Sequence, residues 1–577
     1  MEILEFDLVI LGSGLAGMRA ALQAAKADGK LKIAIVSKLH AMRSHSISAE
    51  GGISGVLYPG EKDSIKLHAY DTIKGSDYLS DQDAVEFLVN HAPEEIKLFD
   101  NLGVPWNKSS GGKIEFRAFG GMSVPRTAFA ADKTGFFMLS ALYDTLLSMP
   151  NVKFFHEHVA TKLLIEMGKF RGFFTIDLAT GNSILFSAKA GIIATGGFGR
   201  VYGFTTTAHS STGDGIALAY EAGLQLKDME FVQFHPTALV PSGILITEAA
   251  RGEGGYLINS KGERFMKRYA PNQMELAPRD IVSRAIVTEL NEGRGLSDRR
   301  FGDYEFVQLD LRHLGEAKID EKLPMIKEIA IKMVGIDPSK EPLPVRPAAH
   351  FTMGGISSDT KGKVFLGNGK PVAGLWTAGE CGCVSVHGAN RLGSNSLSQC
   401  VIWGRVTGNE AARYAAGVHA AVSIQLKVAE QEEQRIGLLL SRREGENPYN
   451  IREELQRTMD SSFNVYRNTS AMARGRKKII GLQKRFAGIC INDKSKVYNT
   501  NLRDALEIGH ILALARVVAE CAINRRETRG AHSRKEYPKR DDKNWLKHTI
   551  AQKSGNKIKL SYSKVTITKW QPKERKY

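Results

Sequence analysis

The stretch that most constrains this chain is its beginning. Phe6-Asp7-Leu8-Val9-Ile10-Leu11 is a short apolar run that ends in Gly12-Ser13-Gly14-Leu15-Ala16-Gly17, and a helical pattern follows from Met18 to about Ala27. Strand, glycine turn and helix in that order open a Rossmann-like unit and suit a dinucleotide pyrophosphate. Gly12 permits the tight turn, Gly14 lets backbone approach the phosphates, and Gly17 lets the helix pack close to the strand. The helix N-terminus adds N–H donors and a partial positive charge.

A second strand, Lys32-Ile33-Ala34-Ile35-Val36, runs into Ser37-Lys38. An ordinary NAD site places Asp or Glu here to hold the ribose, so Ser37 argues against a simple NAD dehydrogenase. Two later runs have the same character. Ala190-Gly191-Ile192-Ile193-Ala194-Thr195-Gly196-Gly197 is an apolar strand entering glycines, and Gly374-Leu375-Trp376-Thr377-Ala378-Gly379-Glu380 ends in an acid. Singly, each is only a strand end. With the N-terminal unit they look like the three chain passes that enclose FAD in large two-domain flavoproteins.

At 577 residues the chain exceeds what one core supports, so several domains are expected. A composition 42% hydrophobic and 24% charged is that of an ordinary globular protein. No apolar run approaches the ~20 residues that span a bilayer. Met1-Glu2-Ile3-Leu4-Glu5 is acidic and lacks the features of a signal peptide, which places the expected location on the cytoplasmic side. Five cysteines are too few for a disulfide framework, and Cys381 and Cys383 have no partner pair at zinc or iron–sulfur spacing, so they read as reduced thiols and no metal site is expected.

The net charge of +17 is concentrated at one end: residues 525–577 carry 17 Lys and Arg against 5 Asp and Glu, or +12, which leaves +5 on the remaining 524. No nucleic-acid motif accompanies that tail, so no nucleic-acid partner is expected. It reads as a solvated edge, or as a surface that docks an acidic partner or anionic lipid. Its removal is expected to weaken docking more than flavin loading.

Arg43-Ser44-His45-Ser46-Ile47-Ser48-Ala49-Glu50-Gly51-Gly52-Ile53 resembles the flavin-attachment segment of the succinate dehydrogenases and fumarate reductases, the respiratory complex II family. The histidine of that segment bonds covalently to the flavin ring. The likeness continues in order through Phe119-Gly120-Gly121, Phe234-His235-Pro236-Thr237, Thr247-Glu248-Ala249-Ala250-Arg251, Pro278-Arg279-Asp280, His350-Phe351-Thr352 and His387-Gly388-Ala389-Asn390-Arg391-Leu392-Gly393-Ser394-Asn395-Ser396-Leu397. Near the C-terminus Glu527-Thr528-Arg529-Gly530-Ala531-His532 and Asp541-Asp542-Lys543-Asn544-Trp545 complete it.

The resemblance implies an α/β fold: a Rossmann-like FAD-binding domain in two parts, residues 1–236 and 352–416, with an inserted α+β capping domain at 237–351. A helical domain at 417–527, with apolar positions Ile424, Leu426 and Val428, and a basic C-terminal domain at 528–577 would follow. It implies FAD attached through His45, with Gly12, Gly14, Gly17, Ser37, Lys38, Ser44, Gly51, Gly52, Asp214, Glu380, Ser396 and Leu397 at the cofactor. Succinate or fumarate would be bound by Arg391, His235, His350 and Thr247, with Phe119 excluding water. Arg279 would carry the proton, linked to solvent through Glu248 and Arg251. Elementary chemistry resists that role, because a guanidinium of pKa above ~12 is a poor acid or base unless neighbouring cations and desolvation lower the cost of losing its charge.

Electrons would leave through a separate iron–sulfur subunit, with a membrane anchor beyond it, the chain itself sitting peripherally on the membrane. The expected activity is succinate oxidation, able to run in reverse. Glu50 keeps a dedicated fumarate reductase open, since fumarate reductases resemble this chain in having Glu there while succinate dehydrogenases commonly have Gln. L-aspartate oxidase, which shares much of the architecture but lacks the attachment histidine, is the distant alternative.

Overall fold

In the computed structural model, which describes residues 1–418 and 426–576, the strand Glu2–Leu11 pairs in parallel with Ile33–Val36 on one side and Ser183–Ile193 on the other. Val152–Phe155 and Pro371–Thr377 extend the parallel run outward on the two sides. Leu8–Leu11 and all of Ile33–Val36 are buried, as parallel strands covered on both faces must be, which is why these runs are continuously apolar rather than alternating. His158–Glu166 and Lys169–Asp177 add antiparallel strands to the same sheet.

Register decides where the site can lie. Leu11 stands opposite both Val36 and Ile193, and Ile193 opposite Thr377. The segments that follow these four residues therefore leave the sheet side by side at its carboxyl edge, where open α/β sheets bind ligands. The helix Leu15–Ala27 starts there and buries nearly its whole surface.

A second, four-stranded antiparallel sheet orders Val232–Leu239, Leu343–Thr352, Val307–Asp310 and Tyr256–Ile258. It has its own core, including Leu257, Phe265, Ile286, Leu309 and Val345. The helix Arg279–Asn291 packs against it, the Ser283 hydroxyl donating to the Phe234 carbonyl at 3.0 Å. That contact puts Arg279, the first residue of the helix, beside the carboxyl edge of the first sheet.

Helices Lys427–Ser441, Pro448–Ser462, Thr469–Phe486 and Thr500–Asn524 follow. Of the apolar positions read from sequence, Ile424 lies outside the described residues, Leu426 is exposed, and Val428 packs against the core. Among the described residues, no helix is long and apolar enough to cross a membrane.

The basic tail is a solvated edge only in its lysines, most of which are exposed; its arginines are another matter. Arg525, Arg529 and Arg534 are buried; Arg525 pairs with Glu230 at 2.6 Å and Glu527 at 2.9 Å, and Arg529 with Glu527 and Asp542, each at 2.8 Å. Lys547–Ser554 joins the body as a strand antiparallel to Leu226–Lys227, with Lys557–Lys564 on its outer side. His548 bridges Asp228 at 2.6 Å and Asp81 at 3.2 Å. A charge count does not show counterions that lie hundreds of residues upstream, and these arginines spend their charge internally.

Candidate active site

A cavity of about 940 Å³ runs along the carboxyl edge of the main sheet and between the two sheets. Part of its wall is glycine backbone. Gly12 has φ +114°, and a Cβ there would collide with the Ala194 carbonyl; a Cβ on Gly17 would collide with the carbonyl of Gly12. The first turn of the Leu15–Ala27 helix carries no acidic residue. Its Leu15 N–H donates to the Ser46 hydroxyl at 3.1 Å, while the neighbouring Ser44 Oγ is buried without a partner. A helix N-terminus, a Cβ-free approach and an unsatisfied hydroxyl together fit a dinucleotide pyrophosphate, and the three strand ends beside them supply the length FAD requires.

At one end, Ser37 donates to the Leu39 carbonyl at 2.6 Å, and Lys38 Nζ sits 2.6 Å from both Asp214 and Glu507. His510 completes this group at 3.0 Å from Asp214. Lys38 and Asp214 thus neutralise one another in the cavity wall. Glu507 and His510 come from the Thr500–Asn524 helix, too far along the chain for any local pattern to have paired them with Lys38.

His45 lines the middle of the cavity, where its Nδ1 accepts the Ala208 N–H at 3.3 Å. Burial, assisted by the Arg200 charge, holds its pKa down to about 4, so the imidazole is neutral at neutral pH. Glu50 is buried nearby with Oε2 unpartnered, and burial together with the Asp132 carboxylate holds it well above the usual carboxylate range. Gly51, Gly52, Ser396 and Leu397 also line this part. Glu380 accepts from the Thr352 N–H at 2.9 Å and its hydroxyl at 3.1 Å, and burial pushes its carboxyl up to about 6.

The far end is a buried cationic cage. Arg279 Nε donates to Glu248 Oε2 at 2.7 Å, and Glu248 Oε1 accepts the Gly120 N–H at 2.7 Å. Arg251 lies behind Glu248, 3.7 Å away, and does not line the cavity. Burial alone would raise the Glu248 pKa, but the Arg279 and Arg251 guanidiniums outweigh it and lower it. Arg391 stands over the Phe351 ring, and burial followed by the Arg279 charge takes its pKa well below the guanidinium range. His235 and His350 lie 4.9 Å apart between ring centroids, both kept neutral by burial and the surrounding arginines.

Several of these donors have nothing to donate to. Arg391 Nε, His235 Nε2, and Arg251 Nε and Nη2 are buried without a partner. Unsatisfied buried donors are costly, and the two that line the cavity, on Arg391 and His235, call for an anionic ligand with more than one acceptor, while Arg251 stands behind Glu248. His350 differs from expectation: Thr206 Oγ1 holds its Nδ1 at 2.7 Å and Arg391 holds its Nε2 at 3.2 Å, so it braces Arg391 rather than presenting a free N–H. Thr247 caps the short Glu248–Gly252 helix, accepting from the Ala249 N–H at 3.4 Å, which leaves its hydroxyl hydrogen for the cavity. Phe119 is buried against Gly51 and Gly393.

Of the residues singled out in the sequence, only Gly17 and Arg251 stand off the cavity wall, each packed directly behind a residue that lines it. Sequence reasoning missed Gln233. Fully buried, it accepts from Arg279 Nη1 at 3.1 Å and donates to Asn390 at 2.9 Å and to the Arg391 carbonyl at 2.8 Å, tying the two arginines together. The signal was its place two residues before His235 on one strand, hence on the same face. Arg117, which donates to the carbonyls of Glu50 and Gly51 at 2.8 and 3.0 Å, was also missed and carried no such signal.

Residues 7–397 match the FAD binding domain family and residues 452–577 match the fumarate reductase flavoprotein C-terminal family. The chain is 43% identical to the fumarate reductase flavoprotein subunit of Serratia sp. (strain ATCC 39006), over all of this chain and 97% of that one. It is 42% identical to the succinate dehydrogenase flavoprotein subunit of Rickettsia bellii, over 98% of this chain and 96% of that one. Its structure superposes on the FrdA chain of E. coli quinol fumarate reductase, solved as a glutamate-to-glutamine variant, with a TM-score of 0.94 at 42% identity, covering 100% and 99% of the two chains. Identity of 42–43% over nearly the full length of such relatives, in a chain whose FAD groove opens into a cage of buried guanidinium and imidazole groups, makes it a member of the fumarate reductase and succinate dehydrogenase flavoprotein-subunit family of FAD-dependent oxidoreductases.

Proposed function

We propose that the chain interconverts succinate and fumarate with FAD bound covalently through His45, oxidising succinate as its forward reaction. The observation that carries the reading is the cage of unpartnered buried donors facing one end of the flavin cavity. A four-carbon dicarboxylate supplies acceptors at both ends and suits it. Arg391, braced by His350, takes one carboxylate in a bidentate grip, while His235 and the Thr247 hydroxyl serve the other. Bound FAD supplies the two-electron acceptor that takes a hydride from one methylene. Arg279 takes the proton from the neighbouring carbon, and Glu248 and Arg251 lead it away. Phe119 keeps water from the reacting carbons. A neutral His45 ring has the lone pair that bonding to flavin requires, and its low pKa maintains that state.

Glu50 favours a second reading, a dedicated fumarate reductase. Its carboxyl, raised well above its usual range by burial and the Asp132 carboxylate, holds a proton more tightly than an ordinary glutamate does, beside the cofactor, where reduction of a double bond consumes one. The partners on this reading are an iron–sulfur subunit and a membrane anchor, with this chain peripheral on the cytoplasmic side of the membrane; the quinol in the name of the E. coli relative fits a membrane-borne electron carrier. Purified flavoprotein should reduce an artificial dye with succinate, reduce fumarate with a dye donor, and ignore L-aspartate; flavin should stay with the chain through acid precipitation. Absence of succinate and fumarate turnover in fully flavin-loaded protein overturns the reading, and the ratio of the two rates, compared with that of Glu50→Gln, decides the direction.

A further inference from the structure

Beyond the strand Lys557–Lys564, the last residues run as a strap along the helices Ile65–Gly75 and Gln82–Asn101. Buried Gln82 grips it: Oε1 accepts the backbone N–H groups of Thr568, Lys569 and Trp570 at 3.1, 2.9 and 3.0 Å, and Nε2 donates to the Trp570 carbonyl at 2.6 Å. The strap delivers Arg575, its side chain only 9% exposed, to a seam between two carboxylates. Its Nη2 lies 2.7 Å from Asp280 and 3.1 Å from Asp77. Asp77 follows the Ile65–Gly75 helix on the flavin side. Asp280 is fully buried and is the second residue of the Arg279–Asn291 helix, immediately after Arg279.

We propose that Arg575 is a positioning residue for the reaction: by bridging Asp77 and Asp280 it fixes the start of the helix that carries Arg279. Two buried carboxylates repel across this seam, and a guanidinium shared between them turns repulsion into attraction. Asp280 also has Arg284 at 2.9 Å and Asp77 has Arg540 at 2.8 Å, but each of these contacts one of the two carboxylates only. Arg575 alone among them joins both. Its loss lets the helix start drift, and Arg279 with it, although no contact at the reacting carbons has changed. The inference rests on Arg279 as the proton carrier.

The test uses full-length, flavin-loaded Arg575→Gln, Arg575→Ala and Arg575→Lys proteins, read as kcat and KM for succinate, flavin per chain and melting temperature. Arg575→Gln should lower kcat by about ten- to a hundred-fold with KM and flavin content little changed, the size of effect that misplacing a reacting group produces. Low-millimolar guanidinium should restore part of the rate in Arg575→Ala and leave wild type unaffected, and Arg575→Lys, which can hold one carboxylate but not both, should fall between. A kcat for Arg575→Gln within about two-fold of wild type overturns the proposal, as does a rate loss that only tracks flavin loss and that guanidinium does not restore. Should Arg575→Gln fail to fold, a wild-type kcat in Arg575→Lys overturns it. Arg279→Gln separates the two layers: full turnover there removes the underlying reading, whereas an inactive Arg279→Gln beside a fully active Arg575→Gln removes only the strap.

Discussion

Gln233→Met isolates the one polar side chain that ties the two arginines of the cage together. The substitution keeps chain length and nearly keeps volume, so the core should not collapse or overpack. It removes the acceptor for Arg279 Nη1 at 3.1 Å and the donor to the Asn390 side chain and the Arg391 carbonyl. A hydrogen bond to a charged group contributes about 1.5–3 kcal/mol. If that bond holds Arg279 in its reactive position, its loss appears in the transition state, and at about 1.36 kcal/mol per decade kcat falls about 10- to 150-fold. The two orphaned acceptors, fully buried, cost a further 1–3 kcal/mol or so each in stability, visible in a denaturant titration of flavin-loaded protein. The assay is succinate-dependent dye reduction at full flavin occupancy, with KM measured alongside. A loss confined to stability, with kcat within about two-fold of wild type, refutes the claim that Gln233 sets Arg279.

His45→Ser should leave FAD dissociable on denaturation, with no flavin fluorescence in the protein band of a denaturing gel, and should cut succinate oxidation more than fumarate reduction; a still-covalent flavin would contradict the attachment site. His548 makes stability pH-dependent. Burial lowers its pKa, but the Asp228 and Asp81 carboxylates outweigh burial and raise it to about 9 from 6.5, so its stabilisation is fully present below pH 6.5 and is lost as pH rises through 9. The melting temperatures of wild type and His548→Asn should therefore differ most near pH 6 and converge above pH 9, and a gap that widens with pH would reverse the sign. Truncation after Arg525 should abolish soluble, flavin-loaded protein rather than merely weaken partner docking, because it strips buried Asp77 of Arg540 and Arg575, takes Arg575 from Asp280 and takes Glu527 from buried Arg525; normal flavin loading in the truncated chain would count against this.

What the sequence made legible followed from local chemistry. The three strand ends at the cofactor could be read because a buried parallel strand is a continuous apolar run and because only glycine fits where Gly12 approaches Ala194. The cage residues were found through motif resemblance, not physics: nothing in Arg391 or His235 alone separates a ligand-binding group from a satisfied structural one. Gln233 was within reach through strand periodicity. Glu507, His510 and Arg117 were not, since their roles depend on helices and turns brought together from distant parts of the chain. His350 shows the same limit in another form. Its identity suggested a donor, and only the Thr206 and Arg391 contacts show both nitrogens already engaged.

The tail carries the same lesson into electrostatics and ties it to function. A net charge per segment describes a chain whose charges face solvent, where screening makes each nearly independent of the rest. Buried charges obey a different rule: each must have its counterion within a few ångströms, because desolvating an unpaired charge costs more than a fold can supply. Arg525, Arg529 and Arg575 meet that rule with Glu230, Glu527, Asp542, Asp77 and Asp280, which stand in the turns after the helix Ile65–Gly75 and before the strand Val232–Leu239, in the tail itself, and at the helix that presents Arg279. The protein's internal counterion system is therefore drawn in part from its most basic segment, through the buried arginines, while most of that segment's lysines face solvent. It joins the parts of the fold that carry FAD to the part that carries Arg279, the geometric relation on which transfer between flavin and a dicarboxylate depends.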